Sequence, residues 1–487
     1  MATCARAARL PRIHAVTENK QTPASSEAPI EQQLYAIRQR IQPRAVHGVF
    51  ANWRIAMVLL TQLLYYGLPW LKWDGHQAVL FDLATRKFYV FGLVFWPQDF
   101  VYLTGLLILS ALGLFLFTAI AGRLWCGYAC PQTVYTEIFM WVEEWLEGDH
   151  LARKKLDKSP WNAEKLRKRG AKHLVWFVIA LWTGFTFVGY FTPIQTLAAE
   201  VMQFNLGPWE TFWILFYGFA TWGNAGFMRE QVCKYMCPYA RFQSVMFDSD
   251  TLTVTYDTSR GEPRGPRSKK IDYKAQGLGD CIDCGVCVQV CPTGIDIRNG
   301  LQYECIGCAA CIDACDQIMD KMGYPRGLIR YTTENVVKGK YPDSGILRHV
   351  LRPRTIIYTV LMAVIGGAFV WSLATRVPLR VDVVRDRAAL SKETDDGLIE
   401  NVYRLQIINK DARVHRYTLQ ARGIDGLRVV TAAREISAAP LETIDVPVSL
   451  VADPVALKGR SIAVTFIVQS ADDPRIRDDV STKFFNR

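Results

Sequence analysis

Five stretches of this chain, residues 55–71, 100–122, 174–199, 211–228 and 355–375, contain no Asp, Glu, Lys or Arg and are rich in Leu, Ile, Val and Phe. Each approaches the roughly 20 residues that a helix needs to cross the apolar core of a bilayer, the first and fourth being near the lower limit. Five such windows rarely coexist in one soluble protein, so the pattern predicts an α-helical bundle of five spans in preference to buried helices of a soluble fold. The remainder is polar: half of the 487 residues are hydrophobic, and the mean hydropathy of +0.07 lies between soluble and membrane averages.

Basic residues orient these spans. Arg38, Arg40, Arg44 and Arg54 precede the first, and Arg153, Lys154, Lys155, Lys158, Lys165, Arg167, Lys168, Arg169 and Lys172 separate the second from the third. Between the third and fourth there is none. The positive-inside rule then places the N-terminus and the segment between spans four and five in the cytoplasm, and everything after residue 375 outside; in a bacterium this is a multi-pass inner-membrane protein with a periplasmic C-terminal region. The net charge of +11 belongs mainly to loops beside anionic lipid, and with no basic recognition helix or base-stacking motif it does not suggest nucleic acid as a partner. Residues 1–48 read as a largely disordered cytoplasmic tail without a signal peptide, in which Cys4 has no ligand role.

Eight of the 13 cysteines form two runs, Cys281, Cys284, Cys287 and Cys291, then Cys305, Cys308, Cys311 and Cys315. Both have the C-x2-C-x2-C-x3-C spacing that folds around two cubane iron-sulfur clusters and sends the fourth cysteine of each run to the other cluster. Cys281, Cys284, Cys287 and Cys315 would hold one, and Cys305, Cys308, Cys311 and Cys291 the second. Zinc and disulfides are the alternatives; zinc sites usually pair two C-x2-C knuckles, and the predicted compartment keeps thiols reduced. Gly285, Gly307, Ala309 and Ala310 are small enough to let backbone amides approach cluster sulfurs, and Asp316 stands where the first run has Pro292. Residues 260–350 are thus expected to form a ferredoxin-like domain that moves electrons.

Two further pairs follow the second and fourth windows: Cys126 and Cys130 before Pro131, and Cys233 and Cys237 before Pro238. In each C-x3-C-P motif, residues four apart share a helix face and can present two sulfurs to one ion. Proline favours a helix break or a new helix start after Cys130 and Cys237, and a thiol at a helix N-terminus is expected to ionise more readily. Four thiolates suit Cu(I) best and Zn(II) next; small apolar cysteines packed at helix ends are the bland alternative. No pair of histidines within the spans suits haem, and His173 reads as an interfacial residue. The recurrence suggests two parallel repeats within residues 49–259 that bring the pairs face to face. After the first motif, Val134, Ile138, Phe139, Trp141, Val142 and Trp145 with Glu137, Glu143 and Glu144 suit a helix lying at the membrane interface or packed on the ferredoxin-like insert.

Beyond the fifth span, which occupies residues 351–376, the pattern changes. Residues 377–487 show alternating runs at 402–408, 416–421, 427–430, 444–450 and 462–468, separated by turns such as Asp425-Gly426 and Asp453-Pro454. This predicts an all-β, immunoglobulin-like sandwich without a buried disulfide and with a binding or assembly role, in which His415 is expected at the surface.

Five spans, both C-x3-C-P motifs, the double run of cysteines and the C-terminal sandwich together resemble the CcoG family of cytochrome c oxidase accessory proteins, also called FixG or RdxA, over nearly the whole chain. The resemblance implies a membrane-bound polyferredoxin that reduces Cu(II) to Cu(I) during assembly of a cbb-type oxidase, with copper near Cys126, Cys130, Cys233 and Cys237. Its partners would be oxidase assembly factors or a copper chaperone, besides membrane lipid and an electron donor that is cytoplasmic or a quinol; homo-oligomerisation is compatible with this. No flavin or nicotinamide motif is present. A NapH-type quinol dehydrogenase feeding a periplasmic partner shares the cysteines but not the long sandwich, and a non-catalytic assembly scaffold is the alternative from a different class.

Overall fold

The computed structural model describes residues 41–269, 272–386, 390–432 and 435–486. The expected tail therefore lies, for residues 1–40 and with it Cys4, outside the described residues. The principal helices are α1 (Val49–Gly67), α2 (Phe100–Ala121), α3 (Pro131–Glu147), α4 (Ala163–Val188), α5 (Pro208–Thr221), α6 (Val286–Gln289), α7 (Ala310–Met322) and α8 (Pro353–Ala374). Among the described residues, three helices are long and apolar enough to cross a membrane: α2 with the turn before it (Pro97–Ala121), α4 and α8.

The other two windows fall on α1, which carries Arg54 and Gln62, and on α5, which loses α-helical geometry after 14 residues and continues as the π-helical Trp222–Met228. Gly223, Asn224 and Gly226 in that stretch are weak helix formers, so a wider turn costs little there. The third window is divided. Helix α4 starts well upstream at Ala163 and stops at Val188, and a separate helix, Ile194–Met202, follows Pro193, because proline has no N–H to continue the ladder. The continuous apolar helix expected at 174–199 is corrected to one at 163–188.

Small residues let these helices approach. A Cβ at Gly105 of α2 would stand 2.9 Å from the Phe369 ring of α8, and one at Gly184 of α4 would run into the Ile214 carbonyl of α5. Close backbone approach of this kind is how helices associate in lipid, where no hydrophobic force separates side chain from solvent. None of the most apolar stretch of α2 or α8 is buried inside the protein.

On the side away from the cysteines, a three-stranded antiparallel sheet, β1 (Val79–Asp82), β2 (Lys87–Val90) and β3 (Leu93–Phe95), links α1 to α2. The cysteine-rich segment is closed by pairing of β4 (Thr253–Tyr256) with β5 (Ile329–Thr332). The C-terminal region is an all-β sandwich. One sheet has β6 (Leu379–Arg385), β8 (Ile399–Asn409), β12 (Thr443–Ala452) and β10 (Arg428–Thr431), with the short β7 (Lys392–Glu393) beside β8; the other has β11 (Glu435–Ala438), β9 (His415–Arg422), β13 (Ser461–Ser470) and β14 (Arg477–Phe485). Alternate residues such as Leu405, Ile407, Leu450, Phe466 and Val468 point inward and are fully buried, the period of two that the sequence shows. Four strands lie outside the expected runs, β6, the two-residue β7, β11 and β14. The last is an edge strand whose exposed Asp, Lys and Arg residues mask its alternation. His415 is buried and bonds Asp411 at 2.9 Å, a correction to its expected surface position. The sandwich rests on the N-terminal end of α2, where Asp99 accepts from Lys410 at 2.6 Å.

Candidate functional site

Each cysteine run folds into the same backbone path. Asp283 and Gly307, two residues into each run, have φ of 54° and 66°; Gly285 and Ala309, two residues further on, have 65° and 59° and cap α6 and α7. Alternation of left- and right-handed residues turns successive N–H groups toward one side and forms a concavity for an anion. Glycine supplies this freely, whereas Asp283 and Ala309 adopt it at some cost, which the surrounding fold covers.

Two cavities result. Cys281, Cys284, Cys287 and Cys315 line the first, with Tyr256, Ile318, Met319 and Arg298. Cys291, Cys305, Cys308 and Cys311 line the second, in a shell of Ile295, Ile297 and Ile306, and Cys287 touches both cavities. Four thiols, apolar walls and no carboxylate among the lining residues fit a cubane cluster in each and do not fit a hard cation. All twelve described cysteines are free. Burial pushes the Cys287 thiol up to about 11 and Cys305 up to about 12, so loading these sites releases protons. Cys284 is exposed while Cys308 is buried, so the two centres differ in solvent access. Asp316 accepts the Gly327 N–H at 3.0 Å and staples the end of α7.

The membrane motifs are also a repeated path. Gly122 (φ 53°, ψ −120°) lies four residues before Cys126, and Arg229 (φ 44°, ψ −114°) four before Cys233. Cys130 and Cys237 are both extended residues capping helices that begin with Pro131 and Pro238. Burial raises Cys126 to about 11 and Cys233 to about 12, and sulfurs of both motifs add to the rise in each, so the four groups stand within electrostatic reach of one another. Cys130 is raised too, by burial, although the N–H groups of Thr133 and Gln132 oppose this. The expectation that its helix N-terminus makes it a thiolate is corrected, since desolvation outweighs the amides. Cys126 instead donates to Gln243 Oε1 at 3.4 Å. Among the described residues, no three His, Cys, Asp or Glu side chains converge on a single-ion site.

The first motif is seated on the second cluster loop. A Cβ at Gly127 would stand 2.8 Å from Cys308 Cα and 2.9 Å from its nitrogen. Cys126 and Cys233 pack with Cys308, Cys311 and Ile306 in one apolar cluster. Tyr331 donates to the Gly307 carbonyl at 2.6 Å and reaches Tyr128 Oη at 3.4 Å. From α7, Asp313 accepts from Ala51 N at 2.7 Å and Phe50 N at 3.2 Å, capping α1.

Sequence reasoning missed three residues. Asp313 and Arg123 are ordinary in sequence and acquire their roles through distant partners. Glu143, expected on a polar helix face, is buried and meets Arg153 at 3.2 Å, Lys172 at 3.5 Å and Arg229 at 2.7 Å. Helix α3 buries Phe139 and Val142 against Trp176 and Ala180 of α4. His173 stacks on Phe227 and meets Trp176 edge-on. Neither arrangement was legible without the bundle.

Comparison with known proteins gives three domain matches: a 4Fe-4S binding domain over residues 103–159, a 4Fe-4S dicluster domain over 228–334, and the IG-like fold at the C-terminus of FixG over 369–487. Protein RdxB of Cereibacter sphaeroides is 45% identical over 395 residues, 79% of this chain and 82% of its own. Protein RdxA of the same organism is 43% identical over 81% of this chain and 85% of its own. The nitrogen fixation protein FixG of Rhizobium meliloti is 38% identical over 80% of each.

Proposed function

The chain belongs to the FixG and Rdx family, and from that premise we propose that this iron-sulfur electron-transfer protein reduces Cu(II) to Cu(I) for the assembly of a cbb-type cytochrome c oxidase. The clusters supply one-electron chemistry, held by Cys281, Cys284, Cys287 and Cys315 and by Cys291, Cys305, Cys308 and Cys311. The substrate cation is taken by Cys126, Cys130, Cys233 and Cys237, whose soft sulfurs favour the cuprous product over the cupric substrate. The packing of Gly127 on Cys308 carries this reading, because it brings the motif backbone against a cluster ligand with no intervening side chain. The raised thiols hold their protons until the cation displaces them.

Helices α1, α2, α4, α5 with its π extension, and α8 are the five spans of this reading. Residues 1–48, the loops bearing the membrane cysteines and the ferredoxin-like domain at 260–350 face the cytoplasm of a bacterial inner membrane, and residues 377–487 face the periplasm. Oxidase assembly factors or a copper chaperone receive the product, the sandwich providing a docking module. The match of residues 103–159 to a 4Fe-4S binding domain favours a second reading, in which the four membrane cysteines hold iron in place of copper.

One experiment separates these. Anaerobically purified protein is analysed for iron, sulfide and copper and then offered Cu(II) or a short-chain quinol. Cupric reduction is expected, and it should fall with copper content in Cys126→Ala/Cys130→Ala and Cys233→Ala/Cys237→Ala while the iron-sulfur spectrum is unchanged. Copper content and reduction that survive in well-folded variants refute the copper assignment. Loss of iron from the same variants supports the second reading, and quinol oxidation without copper reduction supports a quinol dehydrogenase.

A further inference from the structure

Arg123 follows Gly122 at the end of α2, and its side chain is buried, with 6% exposure. The guanidinium donates to the carbonyls of Tyr303 and Ala240 and, at 3.3 Å, to that of Cys305. It thus joins three segments, the first membrane motif, the second cluster loop and the helix after the second motif. Its backbone also packs on Gly307, where a Cβ would stand 3.2 Å from the Arg123 carbonyl.

Carbonyls accept from Nη1 and Nη2, Nε has no hydrogen-bond partner, and none of these contacts neutralises the charge. A buried cation costs several kcal/mol unless an anion compensates it, and among the described residues Arg123 makes no ion pair with a carboxylate. The neighbours that act on its charge are the sulfurs of Cys126, Cys305, Cys233 and Cys237. Of the other arginines near the clusters, Arg298 pairs with Asp296 at 2.6 Å and with Asp283, and Arg54, which also faces Cys308, pairs with Glu137 at 3.4 Å; Arg267 donates to the Cys281 carbonyl at 3.2 Å but is only part-buried and lies over the Tyr273 and Tyr324 rings. Nor does the fold of the motif demand an arginine. The equivalent position of the second repeat, with the same preceding backbone conformation, is Glu230.

We propose that Arg123 is the counter-charge of the centre held by Cys291, Cys305, Cys308 and Cys311, and that it keeps this centre at a higher reduction potential than the one held by Cys281, Cys284, Cys287 and Cys315. A fixed cation favours the form with one more negative charge, and cluster potentials respond to local net charge. With both centres filled, this ordering would favour transfer of one electron from the centre with the exposed Cys284 toward the centre beside Gly127, with no bond made or broken. The inference rests on the eight cysteines as cluster ligands and not on copper as the substrate.

Redox titration followed by electron paramagnetic resonance, without copper, tests it on the full-length protein. The wild type should show two components, of which Arg123→Gln lowers the higher one and leaves the other in place. Arg123→Lys, which keeps the charge, should stay near the wild-type value. Arg298→Gln should move the lower component if it moves either. Unchanged midpoints in Arg123→Gln, equal shifts of both components, or a fall in Arg123→Lys as large as in Arg123→Gln would overturn the proposal. So would loss of one cluster, read as iron content, in both Arg123 variants, since the residue would then be structural. A failed copper assay would leave every one of these outcomes readable.

Discussion

Gly127 and Cys308 meet backbone to backbone, 181 residues apart in sequence; a Cβ on the glycine would stand 2.8 Å from the cysteine Cα. The neighbours of that missing Cβ are main-chain atoms of Gly307 and Cys308, which cannot rotate away as a flexible side chain can. The helical bundle and the cysteine-rich domain are therefore locked where the residue next to Cys126 meets the loop that carries Cys308.

Gly127→Val should separate these two surfaces. Overpacking of this kind costs about 1–3 kcal/mol, and the strain falls on the loop that holds Cys305, Cys308 and Cys311. Thermal unfolding in detergent should show the loss, together with slower electron exchange between the clusters and an acceptor at the membrane motifs. A variant with unchanged stability and unchanged exchange would show that the seat can yield.

The two cavities assign Cys315 to the first centre and Cys291 to the second. Cys315→Ser should then damage the centre otherwise built from the first run, and Cys291→Ser the one built from the second, with iron falling from about eight per chain toward four in each case. Iron content near four in the unaltered protein, with an unchanged spectrum in Cys315→Ser, would contradict this crossing.

Glu143 balances Arg153, Lys172 and Arg229 in a buried network. Glu143→Gln leaves three cations with one fewer anion, and breaking a buried pair from one side typically costs about 3–5 kcal/mol. Arg229 holds the left-handed turn before Cys233, so the second motif should loosen first, seen as faster alkylation of Cys233 and Cys237 than of Cys126 and Cys130. Equal alkylation of all four, with a melting temperature like that of the wild type, would remove this role from Glu143.

Much of this protein follows from local pattern. Uncharged runs announce helices that lipid can surround, period-two alternation announces the sandwich strands, and cysteine spacing announces the ligand runs, because each depends on residues within a few positions of one another. The pattern misled where a helix breaks inside an apolar run, as at Gly189 to Pro193, and where edge strands carry charge, as in β14. Hydropathy averages over such interruptions, whereas hydrogen bonding does not.

The sequence alone determined the kinds of element present and the chemistry of the cysteines. Only the tertiary structure decided that Asp313 caps α1, that Glu143 is buried, that the Cys130 thiol at a helix start is raised by burial, and that Arg123 lies among sulfurs from three segments. The physical reason is range. Helix and strand periodicity and thiolate softness are properties of a residue and its near neighbours, while desolvation and charge compensation depend on atoms brought together from distant parts of the chain.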